Sequence, residues 1–268
     1  VEKASGMSYE DYVEKKIFEP LGMKRSMYCR LEEVVEHRAH GYGYGPNGVR
    51  RAPLNVHTWP FAAGSLCSTA GDMVTWLKAL HGGKVLSPKS YAEMITPARL
   101  NDGTPLGYGM GIGVGKDSRG LEYIGHGGSI AGFNAEATWY PASKMAVVVL
   151  VNSTGNLDAG AVGGELAAAV LPWTPVAPVY FTGDPAPLVG KYVGPSRGRD
   201  MVIDVTQGPQ GPLFSANGSP PRPLPWVEGL TFRQGGAVLT FRRANGGTGR
   251  IDELRFNAGS GYYILKKQ

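Results

Sequence analysis

Cysteine is scarce in this sequence, which has only Cys29 and Cys67 among its 268 residues. The two residues form no Cys-x-x-Cys pair, and no histidine lies at the spacing of a zinc ligand set. Neither a disulfide framework nor a metal site is indicated, so we expect two separate thiols. No cofactor is predicted.

Long apolar runs and runs of like charge are also missing. No segment approaches the ~20 apolar residues of a membrane span. The first residues of the sequence do not show the charged stretch followed by an apolar stretch that is typical of a signal peptide. The formal net charge of +5 comes from scattered basic residues rather than from a stripe. The sequence therefore predicts neither a membrane span nor a nucleic-acid partner.

Glycine and proline are abundant, with 40 and 20 residues. This content favours tight turns and short strands over a helical bundle. With 42% hydrophobic and 18% charged residues, the chain has the composition of a globular protein long enough for two cores. A mixed or β-rich fold follows.

Helix signals mark the first hundred residues. Residues 1–6 resemble a helix's last turn, so we expect the chain to begin inside an element with its true N-terminus missing. Residues 37–60 show no periodicity, which predicts a long irregular loop. Side-chain caps and glycine or proline stops predict three helices, from Ser8 to Pro20, from Thr69 to Gly82 and from Ser87 to Pro97.

Strand signals follow, and then a helix. Alternating glycines predict a strand over 106–114, and an antiparallel meander is predicted at 121–125, 133–140 and 145–152. The last of these is apolar on both faces, so we expect it to be central and covered on each side. Residues 158–171 suit a helix lying on that sheet.

A proline-rich stretch at 172–187 predicts an extended linker. Seven or eight short strands follow it, which indicates a small antiparallel barrel over 188–268. The turns between these strands are expected at Gly208-Pro209, Asn217-Gly218, Gly235-Gly236 and Asn245-Gly246-Gly247.

The segment around His126-Gly127-Gly128 is the candidate for chemistry. A histidine at a strand end beside glycines leaves backbone N–H groups open to a bound group. The competing interpretation is a tight strand-to-strand turn with an exposed histidine. The motif by itself does not separate the two.

Four segments in order resemble the serine β-lactamase and penicillin-binding-protein superfamily, in its class C-like, esterase-like and D-aminopeptidase-like branch. His126-Gly127-Gly128 stands where that superfamily has Lys-Thr-Gly or His-x-Gly. The other three are the run from Ser5 to Met23 ending in Phe-x-Pro-Leu-Gly-Met, Ala62 to Met73, and Val149-Leu150-Val151-Asn152. The resemblance covers residues 1–171.

The resemblance implies roles for six residues. By position, His126 corresponds to the catalytic residue that contacts the substrate and affects the protonation of the site. A histidine in place of lysine argues against strict recognition of a β-lactam carboxylate. Gly127, Gly128 and Ser129 would bind substrate, with the Ser129 N–H as an oxyanion donor. Gly64 and Ser65 align with a pocket wall.

The family's Ser-x-x-Lys and Tyr-x-Asn strings do not occur in this sequence. Because those strings supply and activate the nucleophile, the chain is expected to be inactive alone. Truncation explains both gaps better than degeneration does. Ser215-Ala216-Asn217 fits a related pattern superficially, and we interpret it as a turn.

The architecture predicted is an α/β transpeptidase-like partial domain over 1–171, a linker over 172–187 and a barrel over 188–268. The barrel resembles the lipocalin-like C-terminal domain of such hydrolases. Its role would be that of a lid over the site or that of a structural appendage, and the structural appendage is the favoured interpretation. The parent would be a metal-independent serine hydrolase acting on esters, amides, D-amino-acid peptides or β-lactams. The alternative is a non-catalytic protein that binds a ligand with the glycine-rich strand and barrel.

Partners and location are expected from the same reasoning. The parent would bind a small-molecule or peptide substrate. This chain would bind the missing N-terminal half or self-associate through the surface left bare. The family resemblance slightly favours a periplasmic or secreted location.

Overall fold

The computed structural model describes residues 1–101, 103, 105–117, 119–155, 157–174, 177–244, 249–258 and 261–268. Pro175 of the predicted linker and the predicted turn at Asn245-Gly246-Gly247 lie outside the described residues. The chain forms two compact units. The first contains Val1–Thr96, Met110–Ile112 and Glu122–Trp173, and the second contains Pro97–Gly109, Gly113–Leu121 and Thr174–Gln268.

The three predicted helices of the first unit are confirmed, each with its side-chain cap. Ser8, Thr69 and Ser87 accept hydrogen bonds from backbone N–H groups three residues on. The helices are α1 Glu2–Ser5, α2 Tyr9–Val13, α3 Glu19–Leu21, α4 Ala70–His81, α5 Pro88–Ile95 and α6 Ala159–Val170, with one π-helical turn at Glu14–Phe18 between α2 and α3.

A disulfide joins Cys29 to Cys67, so the expectation of two separate thiols is wrong. Strand β1 (Met27–Tyr28) pairs with β4 (Leu66–Cys67), and the Cys29 N–H donates to the Ser65 carbonyl at 2.8 Å. This pairing brings the two cysteine Cα atoms to 5.5 Å, within the usual disulfide range. Their sequence separation of 38 gave no local signal of it.

Regular structure also lies inside the segment expected to be an irregular loop. Strands β2 (Tyr42–Gly45) and β3 (Gly48–Arg51) form a hairpin. Strand β2 pairs in parallel with the short strand β9 (Ser153–Thr154), which the sequence analysis missed. That pairing joins segments far apart in the sequence, so it could not be predicted from any periodicity within residues 37–60.

The predicted antiparallel meander is confirmed as β6 (Glu122–Ile130), β7 (Phe133–Tyr140) and β8 (Met145–Val151). Strand β6 runs past the end predicted at residue 125, so His126 lies inside the strand rather than at its end. Helices cover both faces of β8. On one face His81 of α4 stacks on Trp139, the register partner of Ala146. On the other, α6 approaches Val147 and Val149 at Gly163.

The central strand of this meander is β7, however, and β8 lies at its edge. The double-sided apolar pattern of β8 therefore reflects two covering helices rather than two neighbouring strands. Among the described strands of the first unit, β8 pairs with β7 alone.

The strand predicted over residues 106–114 is also wrong for most of its length. Only β5 (Gly113–Lys116) is extended, and Gly107 and Gly111 have φ values of +66° and +75°. A left-handed glycine turns the chain instead of continuing a strand. The alternation of glycines here marks turns.

In the described part of the second unit, one sheet has nine antiparallel strands where seven or eight were expected. Their order is β13-β12-β11-β10-β18-β17-β16-β15-β14. The bounds are β10 Gly190–Pro195, β11 Asp200–Gly208, β12 Gly211–Ala216, β13 Arg222–Pro223, β14 Trp226–Glu228, β15 Thr231–Gln234, β16 Ala237–Arg243, β17 Ile251–Asn257 and β18 Tyr262–Lys267.

The sheet curls around one apolar core. Side chains from successive strands, including Tyr192, Ile203, Phe241 and Leu254, are almost completely buried there. The order leaves β13 and β14 at the two edges, so the described strands form a half-barrel. The turn expected at Ser215-Ala216-Asn217 is confirmed only for Asn217, which has φ +50°, because Ser215 and Ala216 end strand β12.

Candidate active site

Strand β6 presents four consecutive exposed residues, from His126 to Ser129, directly after the buried pair Ile124 and Gly125. A strand with one covered face alternates between buried and exposed residues. Exposure of four in a row means that this part of β6 is uncovered on both faces. The candidate motif is therefore open to a bound molecule.

The motif lies within the strand, which corrects the tight-turn interpretation. His126, Gly127 and Ser129 pair with Ala137, Glu136 and Asn134 of β7. The turn follows at residues 131–132. The histidine is thus held by a regular ladder of backbone hydrogen bonds.

Glycine occurs at three positions of β6, and the space around each position differs. A Cβ at Gly125 would lie 2.7 Å from the Ala137 carbonyl oxygen, a backbone atom that cannot move aside. A Cβ at Gly127 would lie 2.7 Å from the Glu136 carboxylate, and one at Gly128 would meet no atom within 4 Å. Gly125 allows close strand packing, whereas Gly128 leaves open space in front of the strand.

The His126 ring is oriented by its own strand. Its Nδ1 lies 2.6 Å from the Gly127 carbonyl oxygen, which can only accept a hydrogen bond. The neutral imidazole therefore carries its proton on Nδ1 and the lone pair on Nε2.

Ser129 lies at a well-supported end of the strand. Its register partner Asn134 accepts a hydrogen bond from the Ala159 N–H at 2.9 Å, at the first turn of α6. Asp158 caps the same helix by accepting from the Ala161 N–H. These bonds fix the hairpin that carries Ser129, while its role as an oxyanion donor stays a prediction.

Gly64 and Ser65 lie beside the β1–β4 ladder, in a different sheet from His126. Ser65 is fully buried, and its hydroxyl donates to the His57 carbonyl. A Cβ at Gly64 would lie 3.2 Å from Pro60. The Ser65 hydroxyl is thus engaged within the protein, and contact of this segment with substrate stays a prediction.

His57 is a buried residue that the sequence analysis missed. Its Nε2 lies 3.4 Å from the Arg38 guanidinium, and its Nδ1 has no hydrogen-bond partner among the described residues. Burial, with the Arg38 charge second, lowers the pKa of His57. The neutral ring follows from this, because both effects penalise the imidazolium.

Glu136 is the other residue that was missed. It lies in the middle of β7, where its carboxylate accepts a hydrogen bond from the Thr138 hydroxyl and reaches the space next to Gly127. The sequence signal was a single acid in an otherwise uncharged strand, Phe133–Tyr140. Its position beside the motif could be found only from the register in which β6 and β7 pair.

Together, a helix-covered antiparallel meander and a His-Gly-Gly-Ser strand open to solvent define the β-lactamase-like class of serine hydrolase folds. Residues 1–171 match the beta-lactamase family model, and the chain belongs to that family. None of the helices in the described part of the chain combines the length and apolar character that a membrane crossing needs.

Two curated relatives show the branch. A D-aminopeptidase of Gluconobacter oxydans is 25% identical over 205 residues, covering 76% of this chain and 38% of the relative. A putative penicillin-binding protein, PbpX of Bacillus subtilis, is 29% identical over 166 residues, covering 62% and 40%. The chain thus spans about two fifths of the length of these relatives.

Solved structures agree with this assignment. A D-amino acid amidase from Ochrobactrum anthropi is 28% identical with a TM-score of 0.51, covering 59% of this chain and 47% of that one. A structure described as SurE has a TM-score of 0.58 at 20% identity and covers 100% and 64%, which shows the fold alone. The same holds for an octameric penicillin-binding protein homologue from Pyrococcus abyssi, with a TM-score of 0.53 at 23% identity, covering 99% and 61%.

Proposed function

We propose that this chain is the part of a serine hydrolase that carries the substrate-binding strand β6, with His126 as its catalytic residue. The observation that carries the proposal is the run of four consecutive exposed residues from His126 to Ser129 in strand β6. An open strand offers backbone groups to an extended substrate. Gly128 leaves the space that such a substrate needs.

The reaction proposed is hydrolysis through an acyl-enzyme, on esters, amides, D-amino-acid peptides or β-lactams. His126 would exchange a proton at Nε2 or contact the substrate, and the Ser129 N–H would stabilise the oxyanion. Gly127 and Gly128 would lie along the substrate, and Gly64 and Ser65 would contribute a wall. The relatives named D-aminopeptidase and D-amino acid amidase favour amide bonds beside D-residues.

The nucleophile would come from a Ser-x-x-Lys and a Tyr-x-Asn outside this chain. The sequence contains neither string, and the matched segments cover only 38% and 40% of the two curated relatives. We therefore propose that the chain alone is inactive.

The test compares the chain alone with the chain extended by its preceding coding sequence. Both are assayed with a chromogenic cephalosporin, a short-chain nitrophenyl ester and a D-amino-acid nitroanilide. We expect background rates for the chain alone and turnover, with a serine labelled by a fluorophosphonate, for the extended protein. Serine labelling and turnover by the purified chain itself would contradict the proposal, as would an extension that lacks both motifs.

A non-catalytic ligand-binding protein is the second candidate, favoured by one observation. The second unit has a groove of about 1050 Å³ whose lining includes Glu228, Thr240, Arg242, Asp252 and Lys266. Binding there without turnover in the extended protein would support this candidate. The lipocalin-like relationship of this unit, its role as a structural appendage and the domain limits 1–171, 172–187 and 188–268 remain proposals.

We also propose that the chain pairs with the missing N-terminal half or with itself. Three large apolar side chains are almost fully exposed: Val34 at 99%, Trp59 at 88% and Leu54 at 81%. Contact of apolar side chains with water is unfavourable, so these residues are candidates for burial against a partner. The disulfide supports an oxidising compartment, such as the periplasm or the extracellular space. A monomer at high concentration by light scattering, with or without the N-terminal half added, would contradict the pairing.

A further inference from the structure

The Glu136 carboxylate occupies the place where a side chain at Gly127 would begin. The two residues are register partners on β7 and β6, so they point to the same face of the sheet. A Cβ built at Gly127 would lie 2.7 Å from Glu136 Oε2. In the superfamily's Lys-Thr-Gly motif, this is the threonine's position.

Helix α6 lies directly beside the same carboxylate. A Cβ at Gly160 would lie 3.5 Å from Glu136 Oε2, and one at Gly163 would lie 3.4 Å from Glu136 Cγ. Both distances are ordinary van der Waals contacts, so the helix borders the space that the Glu136 side chain occupies.

The carboxylate is held in one orientation but is not neutralised. The Thr138 hydroxyl donates to Oε1, which leaves Oε2 as the oxygen nearest Gly127. No lysine, arginine or histidine of the described residues forms an ion pair with Glu136. Its charge is therefore available to a bound molecule that lies over Gly127, which is exposed.

The surrounding segment is acidic in a chain that is basic as a whole. Residues 122–171 contain one lysine, Lys144, and no arginine, whereas their acids are Glu122, Glu136, Asp158 and Glu165. The motif itself has His126 where the superfamily often has lysine. Relative to Lys-Thr-Gly, strand β6 thus lacks a fixed positive charge, and the Glu136 carboxylate of β7 lies beside Gly127.

We infer that Glu136 is a specificity-determining residue, which selects substrates with a free ammonium group beside the scissile bond over acylated or carboxylate-bearing ones. This inference rests on the proposed function and narrows its substrate class. An ammonium over Gly127 would meet the Oε2 charge in a partly covered site, where opposite charges attract more strongly than in water. A substrate carboxylate there would be repelled.

The test uses the extended, active protein and two matched substrates, D-phenylalanine p-nitroanilide and its N-acetyl derivative. We expect wild type to favour the free amine in kcat/KM by about 10-fold or more, and Glu136→Gln to remove most of that ratio. The N-acetyl rate should change little. Glu136→Asp keeps the charge, so it should retain part of the preference.

Glu165→Gln is the matched control, because it removes one exposed acid from α6 with no role assigned to it. It should leave the ratio unchanged. A Glu136→Gln protein that folds and loses both activities equally, or a wild type that prefers the N-acetyl substrate, would overturn the inference.

Failure of the proposed function has a different signature, which is no turnover of either substrate and no labelled serine. Binding then decides the role of Glu136. D-phenylalaninamide and N-acetyl-D-phenylalaninamide are titrated into the 268-residue chain while the amide signals of Gly127 and Ser129 are followed by NMR. We expect tighter binding of the amine in wild type only. Equal affinities, a preference kept in Glu136→Gln, or no shift with either probe would refute it.

Discussion

The disulfide between Cys29 and Cys67 yields a prediction whose size follows from the fold. The sequence separation of 38 defines the loop that the bond closes. On the chain-entropy relation, a loop of this length restricts the unfolded chain by about 13 cal/mol/K, or about 4 kcal/mol at 25 °C. Reduction should therefore lower the free energy of unfolding by up to about 4 kcal/mol.

Urea denaturation of the same protein, oxidised and reduced, measures this without a substitution. With a urea m-value of about 3 kcal/mol/M, loss of the full ~4 kcal/mol would lower the midpoint for the first unit by about 1.3 M on reduction, and a smaller loss would lower it proportionally less. Because Cys29 is buried, a serine there would add the cost of an unpaired hydroxyl. The comparison of redox states avoids that cost, and a Cys29→Ala/Cys67→Ala variant, which should match the reduced protein, is the control.

Two outcomes would refute the reasoning. The first is a titration that finds two free thiols in protein purified under air and then denatured. The second is an oxidised and a reduced protein with the same urea midpoint, which would mean that the bond forms but does not constrain the unfolded chain.

The remaining predictions concern His81, His126 and two glycines. Burial lowers the pKa of His81 to about 4, below its value of about 6.5 in the unfolded chain. The free energy of unfolding should therefore be highest above about pH 6.5 and fall as the pH is lowered toward about 4. With a discount for the partial exposure of the ring, we expect a fall of about 2 kcal/mol. His81→Phe, which keeps the stacking on Trp139, should flatten that fall in denaturation against pH, and an unchanged slope would contradict it. In the extended enzyme, His126→Ala should lower turnover by about 10- to 1,000-fold with stability nearly unchanged, whereas lost stability with unchanged turnover per folded molecule would indicate a structural role. Gly125→Ala, whose Cβ would lie 2.7 Å from a backbone oxygen, should destabilise by about 1–3 kcal/mol, while Gly128→Ala, with no atom within 4 Å, should be neutral in the same assay.

Local signals in the sequence determined much of the first unit. Ser8, Thr69 and Ser87 each cap a helix at the residue where the sequence placed it, because a cap depends only on the next few residues. Short strand-like runs and the turn between them likewise located the strands of the meander, whereas the alternation over 106–114 predicted a strand where the chain mostly turns. The family was readable for the same reason, since its motifs are short strings in a fixed order.

Only the tertiary structure decided which distant residues meet. It joined Cys29 to Cys67 and paired β2 with β9, contacts between segments that carry no local trace of each other. It also placed Glu136 over Gly127, because a one-residue shift in the β6–β7 register would turn the carboxylate to the opposite face. The sequence by itself singled out the motif at His126, whereas the position of the carboxylate beside Gly127 depends on strand register and helix approach, which are set by packing across the whole unit.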